Sequence, residues 1–265
     1  MTTSDLDELI LRRLSAGDSD PILVADFQAL SLAPRMSEML SESVGDRPVF
    51  QIDPISVLMG ECRYASLPEL AETCAEQFRK SGADHGHMFV VGHCSASALA
   101  LRVADLLAAD RPVTAVLLQP AWPDDELVAG KFAEYAGKFG RTARPCPDLD
   151  ADPELVVAEI EQIFRDEMSG LAAGRDLTDA MGAFGDLLVW YRGWLAFLLA
   201  CRNDVEVGRT GGRAAVTVLS DSPSTVEVKG LDRTAYDIVA LPSPQPAGPV
   251  TPELAGHVAA YVAPR

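Results

Sequence analysis

A chain of 265 residues, 48% of them hydrophobic, is long enough to bury a full core within one α/β domain. Its formal net charge of −17 at pH 7 excludes nucleic acid and anionic membrane surfaces as electrostatic partners, and an acidic protein partner must be met by a local patch of Arg or Lys. The five cysteines, Cys62, Cys74, Cys94, Cys146 and Cys201, are odd in number and show no metal-ligand spacing, so they read as reduced thiols in a cytoplasmic protein with no metal site.

In chain order, residues 1–20 open acidic and amphipathic, reading as a helical segment with no apolar core of the signal-peptide kind. Beyond them, short β-branched or apolar runs alternate with helical patterns, the mark of a mostly parallel sheet flanked by helices. Six strands are expected, at Pro21–Ala25, Pro48–Ile52, Met88–Gly92, Val113–Leu118, Ala214–Leu219 and Asp237–Leu241. Ser66-Leu67-Pro68-Glu69 has the form of a capping box and predicts a helix through Lys80, ended by Gly82. From 124 to 212 the alternation stops, and two helical stretches are expected, Pro153–Met168 behind an Asp152 cap and Leu177–Cys201. Such an insertion in a single 1–265 domain reads as a helical lid over the carboxyl ends of the strands. Its aromatic stripe (Phe184, Trp190, Tyr191, Trp194, Phe197) reads equally as core. The most apolar stretch, Leu187–Cys201, is interrupted by Arg192 and is too short to span a bilayer.

The chemistry-bearing motif lies at the third strand. Met88 to Ala100 reads strand, tight turn of small residues, helix, and Gly92-His93-Cys94-Ser95-Ala96 within it fits G-x-S-x-G with cysteine for serine and alanine for the second glycine. In a nucleophile elbow the reactive residue sits in a strained turn, and small neighbours two positions away let strand and helix approach. The alternative is that Cys94 is only a small buried residue at a strand-helix junction.

From about Pro21 onward the chain resembles the thioesterase family of polyketide and nonribosomal peptide synthases. The resemblance rests on the elbow and on the order of strand, oxyanion loop, elbow, a strand ending in Leu117-Leu118-Gln119-Pro120-Ala121-Trp122-Pro123, helical insertion and two last strands. It implies an α/β-hydrolase fold, an acyl substrate presented on the phosphopantetheine of an acyl or peptidyl carrier protein, and no cofactor of the enzyme's own. It also implies an oxyanion hole built from the backbone N–H of Ser95 and one from Phe27, Gln28 or Ala29. The chain departs from the family at both remaining triad positions. Gln119 stands where many members carry the acid, although Asp221, after the next strand, is a second position for it. Gln245 occupies the place of the histidine in Pro242-Ser243-Pro244-Gln245-Pro246. His85, His87, His93 and His257 are the remaining candidates for a base.

These departures are chemically coherent, because a cysteine is a few per cent thiolate at pH 7 even when unperturbed, whereas a serine needs a base. Transfer of an acyl group from one thiol to another needs no proton relay, but attack by water does. Three readings follow: an acyltransferase or atypical thioesterase working through acyl-Cys94; a pseudoenzyme or cyclase that uses the pocket only to bind a polyketide or acyl ligand; and a hydrolase with a relocated histidine.

Overall fold

Continuous apolar runs form strands buried on both faces, and strands lie where the sequence predicts all six runs; the first five are largely buried, while the last, at the sheet edge, is mostly exposed. The computed structural model describes residues 10–27, 34–61, 63–83, 86–139, 144–173, 181–208, 214–242 and 250–263. The strands are β1 (Leu11–Arg13), β2 (Ile22–Ala25), β3 (Val49–Ile52), β4 (Met88–His93), β5 (Val113–Leu118), β6 (Ala215–Ser220) and β7 (Asp237–Ala240). They form one sheet in the order β1-β3-β2-β4-β5-β6-β7, and every pairing is parallel except that of β1 with β3.

Over the described part of the expected N-terminal helical segment, residues 10–20, β1 stands in place of a helix, and residues 1–9 lie outside the described residues. Ile10 and Leu11 are buried while Arg12 and Arg13 are exposed, and the strand pairs Leu11 with Ile52 on what would otherwise be a free sheet edge. Three short residues thus gain ladder hydrogen bonds and a buried pair of side chains, which outweighs a weak helical pattern.

The chain divides into two compact units. The first, among described residues, comprises Pro54–Ser66 and Pro123–Asn203; the second comprises Leu9–Asp53, Leu67–Trp122 and Asp204–Arg265 and holds the whole sheet. The division differs from one domain with an insertion at 124–212, because α2 (Pro54–Met59) belongs with the inserted helices. Those are α5 (Asp125–Phe139), which the sequence reading leaves out, α6 (Pro153–Ala173), capped by Asp152, and α7 (Met181–Asn203). Arg192 on α7 explains the attachment of α2: its Nη2 donates to the carbonyls of Leu58 and Met59, both at 2.9 Å, and its Nη1 to the buried Glu161 carboxylate at 3.1 Å. The charge of Arg192 is thereby paired, and the open carbonyls at the end of α2 are capped. Of the aromatic stripe, Tyr191 and Phe197 are buried inside this unit, and Tyr191 stacks on Tyr135 with ring centroids 4.0 Å apart. No helix among the described residues is long and apolar enough to cross a membrane.

In the sheet unit, α1 (Met36–Ser43) and α8 (Pro252–Val262) share one core cluster with the strands, through Met36, Leu40, Leu254 and Val258 against Ile22, Val24, Val91 and Val116. α3 (Leu67–Lys80) packs beside α4 (Ala96–Leu107), which follows β4 directly. The chain leaves β2 for β3 on one side and returns to β4 on the other, so the strand order reverses between β2 and β4. Open α/β sheets place their ligands at the carboxyl ends of the strands at such a point.

Candidate active site

Cys94 follows the last residue of β4, at that reversal. Its φ of 53° lies in the left-handed region, which a non-glycine residue holds only where the surroundings enforce it. Backbone hydrogen bonds do so: Cys94 N–H donates to Leu118 O at 3.0 Å, and Cys94 O accepts from Ser97 N–H at 3.1 Å and from Ala121 N–H at 3.2 Å. Ser97 Oγ donates to Gly92 O at 3.2 Å, tying the first turn of α4 back to β4. The tight approach explains the glycine. A Cβ added to Gly92 would sit 2.6 Å from Ala100 Cβ and 2.8 Å from Ser97 Cα. The outcome is a thiol held out from the turn: Cys94 is exposed, whereas Cys74 and Cys201 are buried. Cys94 is therefore not a small buried residue at the strand-helix junction.

The strand register sets what lies beside it. Ala25 pairs with Gly92, so Asp26 and Phe27 leave β2 alongside His93 and Cys94. Ser95, at the start of α4, is buried. Of the expected oxyanion donors, Ser95 and Phe27 are placed at this end, while Gln28 and Ala29 lie outside the described residues. On the other side, Leu118 pairs with Leu219, which brings the ends of β5 and β6 together. Gln119 also adopts a left-handed φ, of 44°, and its N–H donates to Leu219 O at 2.9 Å. Its side-chain Nε2 donates to Asp221 Oδ2 at 3.2 Å, and Ser222 Oγ donates to the other carboxylate oxygen at 3.2 Å. The two acid positions considered in the sequence are thus hydrogen-bonded neighbours, with the amide serving the carboxylate.

His87 and His257 fall elsewhere. His87 sits at the opposite end of β4, with Nε2 2.9 Å from Thr114 Oγ1. His257 is on α8, 4.0 Å from Glu253. Burial pulls the His93 imidazole down to about 4, so it is uncharged at neutral pH. Among the described residues, the recorded polar contact of Cys94 Sγ is Ser95 Oγ at 3.9 Å, and no histidine is hydrogen-bonded to it. His85 and Gln245 lie outside the described residues.

One residue was not singled out from the sequence. Asp26, buried at the end of β2, accepts hydrogen bonds from Ser37 N–H at 2.7 Å, Ser37 Oγ at 3.0 Å and Gln51 Nε2 at 3.1 Å. It joins the strand to the first turn of α1 across residues 27–36, the stretch containing the expected oxyanion loop. Desolvation holds its carboxyl above the ordinary carboxylate range despite these bonds and nearby Arg35.

No protein-family model matches the chain, and no curated protein matches it. Solved structures do. The holo form of a four-domain nonribosomal peptide synthetase, bound to AMP and glycine, matches over 96% of this chain at 15% identity and a TM-score of 0.55; the chain spans only 20% of that protein. The Vlm2 thioesterase domain, bound with a dodecadepsipeptide, matches over 96% of this chain and 99% of its own at 15% identity and a TM-score of 0.53. The bottromycin epimerase BotH, in complex with bottromycin A2, matches over 96% of this chain and 95% of its own at 17% identity and a TM-score of 0.50. The fold is thus that of the α/β-hydrolases, with a cysteine in the tight left-handed turn between β4 and α4. Over nearly its whole length that fold is similar to the fold of the Vlm2 thioesterase domain.

Proposed function

We propose that the protein is a thioesterase-like acyltransferase that takes an acyl group from a carrier-protein phosphopantetheine thioester onto Cys94. The observation that carries this reading is an exposed cysteine in a left-handed elbow turn beside Gln119, whose amide is bound to Asp221. Cys94 Sγ attacks the thioester carbonyl, and the oxyanion is held by backbone N–H groups at the start of α4 and after β2. Collapse breaks the bond to the pantetheine sulfur, which leaves as a thiolate and recovers the proton that Cys94 gave up. One thioester replaces another, so no net proton or redox change occurs. A thiol or amine then takes the acyl group; water does so slowly, since general-base assistance to its attack is typically worth about 10²- to 10⁴-fold and an amide cannot supply it.

Incubation with acyl N-acetylcysteamine thioesters and with acyl-loaded carrier protein tests this. Intact-protein mass spectrometry is expected to show a single acyl adduct that persists in buffer, is discharged by an added thiol or amine, and is absent in Cys94→Ala. An adduct that survives in Cys94→Ala, or no adduct with any donor, refutes acyl transfer and leaves the binding-only reading.

A further inference from the structure

The amino ends of the strands, opposite Cys94, carry a second polar cleft. From Phe89 to Cys94 the chain crosses the sheet along β4, a span of about 17 Å at strand rise. The cleft, of about 530 Å³, is lined by Ser19 and Asp20 before β2, Arg47 before β3, His87 just before β4 and Phe89 on it, Thr114 on β5, and Tyr261 and Ala263 at the end of α8. All of these residues belong to the sheet unit.

Arg47 is the unusual member. It is 4% exposed, with its guanidinium carbon 5.3 Å above the centre of the Phe89 ring. Of its five N–H donors, Nη1 makes one long bond to Asp20 O at 3.4 Å, Nη2 stands 3.7 Å from Asp20 Oδ2, and Nε is buried without a partner among the described residues. A buried guanidinium so poorly satisfied is a binding group for a planar acceptor. The other walls are already fixed. His87 Nε2 is bonded to Thr114 Oγ1, Tyr261 OH is 2.7 Å from Thr217 Oγ1, and Asp20 Oδ1 accepts from His87 N–H at 3.0 Å. Phe89 meets the Tyr261 ring edge-on at 6.5 Å, so the polar end of the cleft adjoins an aromatic wall.

We propose that this cleft is a second ligand site, separate from the elbow, that binds a small monocarboxylate with an apolar or aromatic body, the carboxylate on Arg47 and the body against Phe89 and Tyr261. A carboxylate matches the guanidinium fork with two parallel hydrogen bonds, and a preorganised wall lowers the ordering cost of binding. Asp20 sets the charge of the ligand. Its carboxylate offsets part of the Arg47 charge, which favours a single negative charge over the two of a phosphate.

Benzoate is the probe, titrated into the full chain and followed by amide chemical shifts, with benzamide as its neutral isostere and inorganic phosphate as the dianion. The expected result is saturable binding that shifts Asp20, His87, Phe89 and Tyr261, at least ten times tighter than benzamide, and unchanged in Cys94→Ala. Arg47→Lys is expected to weaken it about tenfold, the loss of a two-bond fork. Because Arg47 is buried, Ser19→Trp is a second variant: Ser19 is exposed at the rim, so the indole blocks the cleft without entering the core. Equal binding of benzoate and benzamide, binding that survives Ser19→Trp, shifts centred on Cys94 and Gln119, or competition by equimolar phosphate would each overturn the proposal. So would the lack of saturable binding up to about 10 mM, where a site of ~1 mM is mostly filled.

Discussion

Replacing Asp26 separates the energy of its hydrogen bonds from the energy of its charge. In Asp26→Ala, the Ser37 N–H and the Gln51 amide lose their acceptor in surroundings where Ser37 is 0% and Gln51 2% exposed. Each stranded buried donor costs about 1–3 kcal/mol; the Ser37 hydroxyl can rotate to another acceptor, so the two that remain give an expected loss of about 2–6 kcal/mol of unfolding free energy. Asp26→Asn behaves differently. Its Oδ1 takes the Ser37 N–H, its Nδ2 faces a Ser37 hydroxyl that can turn to accept, and Gln51 needs only an amide flip, so it should cost under about 1 kcal/mol at low pH. The charge then shows in the pH dependence. Burial raises the Asp26 carboxyl above its ordinary value of 3.8, so the folded state holds this proton to higher pH than the unfolded chain does. The stability it contributes is complete below 3.8 and is lost as pH rises through the folded-state value. Asp26→Asn, which cannot ionise, should therefore gain on the parent as pH rises above 3.8, as read from urea unfolding curves followed by circular dichroism. Parallel stability profiles for parent and Asn variant, or an Ala variant as stable as the parent, would refute the reasoning.

Gly92→Ala places a methyl against Ala100 and Ser97, and the expected outcome is a loss of about 1–3 kcal/mol with slower alkylation of Cys94 by iodoacetamide, measured by urea unfolding and thiol labelling. Arg102 Nε donates to Asp204 Oδ2 at 2.7 Å, both side chains buried, so Arg102→Met leaves a lone buried carboxylate and should cost about 3–5 kcal/mol. The double change Arg102→Met with Asp204→Leu should recover most of that loss in the same unfolding assay.

What the sequence discloses is whatever depends on near neighbours. Five strands are legible because buried parallel strands are nearly unbroken apolar runs, the exposed edge strand β7 because of its β-branched Ile238-Val239 pair, and α3 because capping and amphipathic spacing agree over Leu67–Lys80. The elbow is legible because strand, small-residue turn and helix fit within Met88–Ala100. β1 escapes notice because three residues carry no period, and α5 because Gly130 and Gly137 weaken its helical pattern. Asp26 could not be read, since its donors lie 11 and 25 residues away. The Gln119–Asp221 bond crosses 102 positions, and nothing in a glutamine signals a left-handed turn. Gln28, Ala29 and Gln245, inferred from the resemblance, lie outside the described residues.

The Gln119–Asp221 bond bears on the proposed acyl transfer at Cys94. In a serine hydrolase the carboxylate fixes the tautomer of a histidine, which relays a proton from hydroxyl to leaving group. Here one Asp221 oxygen accepts from Gln119 and the other from Ser222, so the acid positions a neutral amide. That amide keeps one N–H and one oxygen for a ligand, groups that orient a substrate but take no proton. The strained geometry nevertheless remains on both strands, with Cys94 and Gln119 each at positive φ and joined through Cys94 N–H to Leu118 O and Ala121 N–H to Cys94 O. Strain of this kind costs about 1–3 kcal/mol per residue and persists only where packing and hydrogen bonds over-determine it. What it achieves here is to expose one sulfur at the end of the sheet. Under the proposed function, a thiol with no histidine hydrogen-bonded to it among the described residues favours reactions in which proton demand cancels, and exchange of an acyl group between two thiols is the simplest of these. An amine acceptor also fits, since it attacks through its own lone pair and sheds its proton afterwards, whereas water must be deprotonated as it attacks.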